Sequence, residues 1–162
     1  MKGKRYYVFG IMAMLFALLL AGCGNSGNTE NAENEKEAAA EAFLTHFYTT
    51  DDGGRYTTMQ SSSAETEEEV EESVDAYYSK LAELATDDLL EKLQANRMPY
   101  VYDEMDEEAG ITVDSPQIKL NAQEEENSYD FMVTRTEEDV RTGTIRLTET
   151  EDGYLAEYFI ER

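Results

Sequence analysis

Few side chains in these 162 residues suit covalent or acid–base chemistry: one cysteine, Cys23, one histidine, His46, and a large stock of carboxylates and tyrosines. A catalytic Ser/His/Asp system needs His46 beside an activated serine, and no motif surrounds any serine here. His46 lies beside the apolar stripe of its helix, which predicts a partly exposed helical histidine and no general base. Transition-metal ligation lacks imidazoles and thiolates, so no such site is expected. Carboxylates can hold calcium. Asp103-Glu104-Met105-Asp106-Glu107-Glu108 and Thr50-Asp51-Asp52-Gly53 are the places to look, although neither keeps the spacing of a calcium-binding loop. No glycine-rich phosphate cradle is present, and no cofactor is expected. Cys23 stands alone, so no disulfide forms within the chain and stability must come from a core.

The cysteine acquires meaning from what precedes it. Lys2, Lys4 and Arg5 are followed by thirteen residues without charge, Val8 to Leu20, which matches a secretory leader. The run falls short of the roughly 20 apolar residues that a membrane span needs. It closes on Leu20-Ala21-Gly22-Cys23, which resembles the lipobox of bacterial lipoproteins. The resemblance implies cleavage before Cys23 and a diacylglyceryl group, with palmitate-type chains, on its sulfur. Two acyl chains hold stably where one is marginal, at about 0.8 kcal/mol per buried CH₂. The expected location is therefore the outer face of a cell membrane. An uncleaved N-terminal anchor would orient the body the same way.

Residues 23–36 are nearly all polar and read as a flexible acidic tether, leaving residues 37–162 as a single domain. All 36 acidic residues but only 10 of the 13 basic ones follow the leader, so the exported part carries about −26. That field repels nucleic acid and favours solubility or a cationic partner.

Periodicity orders the elements. A first helix is expected from Glu33 to Tyr48, with Ala39, Ala40, Phe43, Leu44 and Phe47 on one face. A helical turn over Arg55 to Gln60 turns Tyr56 and Met59 inward. A second helix carries Val70, Val74, Tyr77, Tyr78, Leu81 and Leu84, its start marked by the capping-box spacing of Thr66 and Glu69. Thr86 or Asp87 caps a third bearing Leu89, Leu90 and Leu93. Tyr100-Val101-Tyr102 reads as a short strand and Asp103 to Gly110 as an acidic loop. The period then changes to two. Strands follow over Gln117–Gln123, Ser128–Thr136 and Val140–Thr148, with Gly143 a candidate bulge. The last covers Tyr154–Glu161, its inward set read as Tyr154, Ala156, Tyr158 and Ile160.

Helices first and an antiparallel meander last predict an α+β domain with helices on one face of a curved sheet. The segments Ala42 to Asp51 and Asp152 to Ile160, with the helical middle between them, resemble a nuclear transport factor 2-like domain. That resemblance implies a cone whose mouth Tyr78, Tyr100, Phe131 and Tyr158 can line as a ligand pocket. Tyr154 stands where the family often has tryptophan, which this chain lacks. Three functions follow as expectations. First comes a lipid-anchored, non-catalytic binding or scaffold domain for an unknown protein or small ligand. The alternatives are a small-ligand enzyme resembling the ketosteroid isomerase branch, marked by a buried acid facing the pocket, and a structural part of an envelope secretion or conjugation assembly.

Overall fold

A computed structural model describes residues 27–50, 67–98, 105–106 and 108–162. The Cys23 segment, the turn over 55–60, Thr66 of the capping box and the strand expected at 100–102 lie outside these residues. The chain divides after Glu33, and residues 34–162 form the body. Among the described residues three helices accompany a four-stranded antiparallel sheet of order β1-β2-β3-β4, as the α+β reading requires.

Helix α1 spans Gly27–Tyr48, six residues earlier than the expected start at Glu33. Part of the stretch read as a flexible tether is thus helical. Polarity denies that stretch a core but not a helix: its Glu, Ala and Lys residues are good helix formers, and extending an existing helix avoids the cost of nucleation. The apolar stripe further along matches expectation, with Ala40, Phe43, Leu44 and Phe47 fully buried.

Helix α2, Glu67–Ala82, sets Tyr77 and Leu81 into the core. Leu84 falls past its end, in the turn that leads to α3, Asp87–Ala95. Thr86 is the N-cap, its hydroxyl accepting the Leu89 N–H at 3.3 Å, while Asp87 and Asp88 sit at the positive end of the dipole. Leu89 and Leu93 form the buried edge of α3.

The strands are β1 (Gln117–Ala122), β2 (Ser128–Thr134), β3 (Val140–Thr150) and β4 (Gly153–Glu161). Their register aligns Tyr129, Ile145 and Phe159 in one inward row, and Phe131, Gly143 and Glu161 in the next. Gly143 is no bulge. A Cβ there would stand 2.1 Å from the Ile160 carbonyl oxygen and 2.5 Å from Phe131 Cζ, so the missing side chain lets that ring lie on the sheet.

The bulge lies elsewhere. Arg146 pairs with Tyr158 but Leu147 pairs with Ala156, which leaves Glu157 as the extra residue. The alternation of β4 therefore reverses at Glu157. Tyr154 and Ala156 pack on the core as expected, but beyond the bulge Phe159 does so, and Tyr158 and Ile160 are 39% and 45% exposed. Phe159 completes an aromatic cluster, with ring centroids 4.7 Å from Phe47, 5.4 Å from Phe43 and 5.6 Å from Phe131. Such ring pairs add about 0.5–1.5 kcal/mol each beyond the area they bury.

Candidate functional site

The inward parity of β2 runs past its last apolar residue. Tyr129, Phe131 and Val133 are buried, and so, two residues on, is Arg135. Its guanidinium meets Asp106 through two nearly parallel bonds, Nη1 to Oδ1 at 2.9 Å and Nη2 to Oδ2 at 2.6 Å. Nη1 also reaches Asp139 Oδ2 at 2.7 Å. The turn that brings Asp139 there is set by Thr136, whose hydroxyl accepts the Asp139 N–H at 3.0 Å.

From Asp139 the network crosses to Arg141 Nε at 2.5 Å, and from Arg141 Nη1 to Glu161 Oε1 at 3.1 Å. It ends on α1, where the Tyr48 hydroxyl donates to Glu161 Oε2 at 2.5 Å. Burial works against the Arg141 charge, but hydrogen bonds and the charges of Asp139 and Glu161 outweigh it, so the guanidinium is held charged. Asp106 was expected in a solvated acidic loop and is instead 1% exposed. A buried guanidinium requires a buried counter-charge, and Asp106 supplies it.

This network joins four parts of the chain: the 105–113 segment, the β2–β3 turn, the end of β4 and the last residue of α1. Close by, the Thr50 N–H donates to the Val113 carbonyl at 2.8 Å and the Thr50 hydroxyl accepts the Val113 N–H. Both calcium candidates thus have a ligand already engaged, Asp106 by Arg135 and Thr50 by Val113. Among the described residues no three His, Cys, Asp or Glu side chains cluster as metal ligands.

His46 is buried, contrary to its reading as a partly exposed residue. Its ring stacks on Tyr77 at 4.7 Å and its Nε2 lies 3.4 Å from the Tyr77 carbonyl. Packing of α2 against this side of α1 buries it, which the stripe of α1 alone does not reveal. Desolvation lowers its pKa below the ordinary 6.5, with Lys80 acting in the same direction, against the partial support of the Tyr77 carbonyl.

Of the four residues expected at a pocket mouth, the three that are described do not converge. Phe131 is interior, Tyr78 is half-buried beside Tyr77, Tyr158 stands on the opposite face of the sheet from Phe131, and Tyr100 lies outside the described residues. The bulge at Glu157 separates Tyr158 from the inward row. A cleft of about 220 Å³ opens instead at the edge of β4. One wall is α3 and the residues after it, Leu89, Lys92, Leu93, Asn96 and Met98. The other is Glu157-Tyr158-Phe159. Apolar side chains floor it and a few polar groups rim it, which suits binding.

The outward face of the sheet is a second surface. Of the five large apolar side chains exposed among the described residues, four stand on it: Met132, Val140, Tyr158 and Ile160. Arg146 lies over the Tyr158 ring at 5.3 Å and is held by Glu157 at 2.6 Å and Glu125 at 3.0 Å. Arg162 meets Asp130 at 3.3 Å. Comparison with family models, with curated proteins and with solved structures finds no match to this chain.

Sequence reasoning missed the Arg135–Asp106 pair and the bulge. The first had a signal, since Arg135 continues the Tyr129, Phe131, Val133 alternation; the second had none, because an extra residue in a strand leaves no compositional mark.

Proposed function

We propose that this chain is an extracytoplasmic lipoprotein, anchored through lipid on Cys23, whose body is a non-catalytic binding or scaffold domain of nuclear transport factor 2-like shape. The observation that carries the reading is Leu20-Ala21-Gly22-Cys23 behind a charged and then apolar leader. The body adds support of its own. Helices lie on one face of an antiparallel meander, Phe43, Phe47, Phe131 and Phe159 fill the space between them, and the buried acid Asp106 is engaged by Arg135 and does not line the cleft. An isomerase-type acid needs an apolar pocket wall that keeps it protonated. Asp106 has a cation instead.

A second reading, a structural part of an envelope assembly, draws on the apolar side chains of the outward sheet face. The two readings share the anchor. Replacing Cys23→Ser and fractionating cells tests it: the protein leaves the membrane fraction and no longer incorporates labelled palmitate. Failure of the parent chain to incorporate labelled palmitate disproves lipidation as the means of attachment.

A further inference from the structure

The far edge of β4 is already used for pairing over part of its length. Ala156 donates its N–H to the Leu84 carbonyl at 2.9 Å and accepts the Thr86 N–H at 2.8 Å, a parallel bridge centred on Ala85. At Thr86 the chain turns away into α3, and among the described residues nothing pairs with the edge beyond. Its backbone directions follow from the register. Arg162 N–H bonds the Thr142 carbonyl across the Gly143/Glu161 pair, so the N–H and C=O of Glu161 point away from β3. Two residues back, those of Phe159 do the same. No described residue pairs with these four groups.

Those of Phe159 border the cleft. An extended segment lying along Phe159 and Glu161 would place one alternate side chain toward Leu89, Leu93 and Met98 and turn its neighbours outward. This is the geometry of strand addition between an edge strand and a helix. We infer that the open edge of β4, Glu157 to Glu161, together with the α3 cleft, captures an extended peptide segment of a basic partner protein as a fifth strand.

The sign of the partner comes from the surroundings. Glu83, just before α3, and Asp87, Asp88 and Glu91 on it are exposed, against Lys92 in the cleft lining. Glu157 and Glu161 are already paired with Arg146 and Arg141; the chain as a whole carries a net charge of −23. Lysine or arginine at the outward positions of the segment meets that field favourably, and acidic residues there are repelled. The inference rests on the reading of the domain as a binding module and is independent of its anchor.

The test titrates the full chain, in neutral detergent micelles, with a capped Lys-Val-Lys-Val-Lys peptide. Amide hydrogen exchange is followed residue by residue by NMR. Without peptide, the Phe159 and Glu161 amides exchange fast while those of Tyr158 and Ile160, paired to β3, are slow. At saturation all four become slow. The same peptide N-methylated on its central residues keeps its side chains but loses its donors, and binds about tenfold or more weaker. A Glu-Val-Glu-Val-Glu peptide binds weaker still, by a margin that shrinks in high salt.

Three results overturn the inference: equal affinity for the N-methylated peptide, no protection of Phe159 and Glu161 at millimolar peptide, or protection that appears with protein concentration alone, which would make a second copy the occupant. The titration does not read the anchor, and cell fractionation does not read the edge, so failure of either experiment leaves the other conclusion standing.

Discussion

Arg135 and Asp106, twenty-nine residues apart, face each other through two hydrogen bonds of 2.9 and 2.6 Å with side chains 0% and 1% exposed. Neither charge has water to fall back on. Removing one partner leaves the other's buried charge under-compensated, Arg135 keeping only its bond to Asp139, so Asp106→Ala and Arg135→Met should each lower the unfolding free energy by about 3–5 kcal/mol. The double variant Asp106→Leu/Arg135→Met should recover most of that loss. Urea denaturation of the four proteins measures the coupling, and additive losses would mean that the pair does not act as a unit.

Gly143→Ala tests how closely the core lies on the sheet. The new methyl meets a backbone oxygen at 2.1 Å as well as the Phe131 ring, and the backbone cannot yield as a flexible side chain would. The expected cost is about 1–3 kcal/mol, visible as a lower thermal midpoint. An unchanged midpoint would place the Phe131 ring farther from β3.

His46 makes stability depend on pH. Its folded pKa lies below its ordinary value of 6.5, so the unfolded chain takes up this proton first as pH falls. The contribution is complete above 6.5 and is lost below it, at a slope of at most about 1.4 kcal/mol per pH unit. His46→Phe keeps a ring against Tyr77 and removes the titration. Subtracting its stability curve from that of the parent should leave a component that falls only on the acid side of 6.5; a component that rises there would mean a raised pKa.

The reversed alternation of β4 predicts opposite responses at adjacent positions. Phe159→Ala, which empties a place among Phe43, Phe47 and Phe131, should cost about 2–4 kcal/mol. Ile160→Thr, on the outward face, should stay within about 0.5 kcal/mol. Equal losses would show that the strand does not change face at Glu157.

Why the strand's tail was misread while its neighbours were not is a matter of what each signal encodes. The stripe of Phe43, Leu44 and Phe47 repeats at helical intervals, and the alternation of Tyr129, Phe131 and Val133 repeats at two, so both burial patterns follow from the chain alone. Thr86 declares its cap by residue type. Glu157 declares nothing, since a bulge is decided by what β3 offers opposite it. His46 and Asp106 are buried by partners distant in sequence, α2 and Arg135. The β4 cleft likewise joins Leu93 to Phe159 across more than sixty residues, and no local pattern announces such a meeting.

The bond from Tyr48 to Glu161 closes a loop of 113 residues. During synthesis α1 emerges with its phenylalanines bare and must wait for nearly all of the remaining polypeptide before Phe159 arrives to cover them. Long closures of this kind delay final assembly. A chain that finishes so late would stay threadable, which the export we propose for it requires.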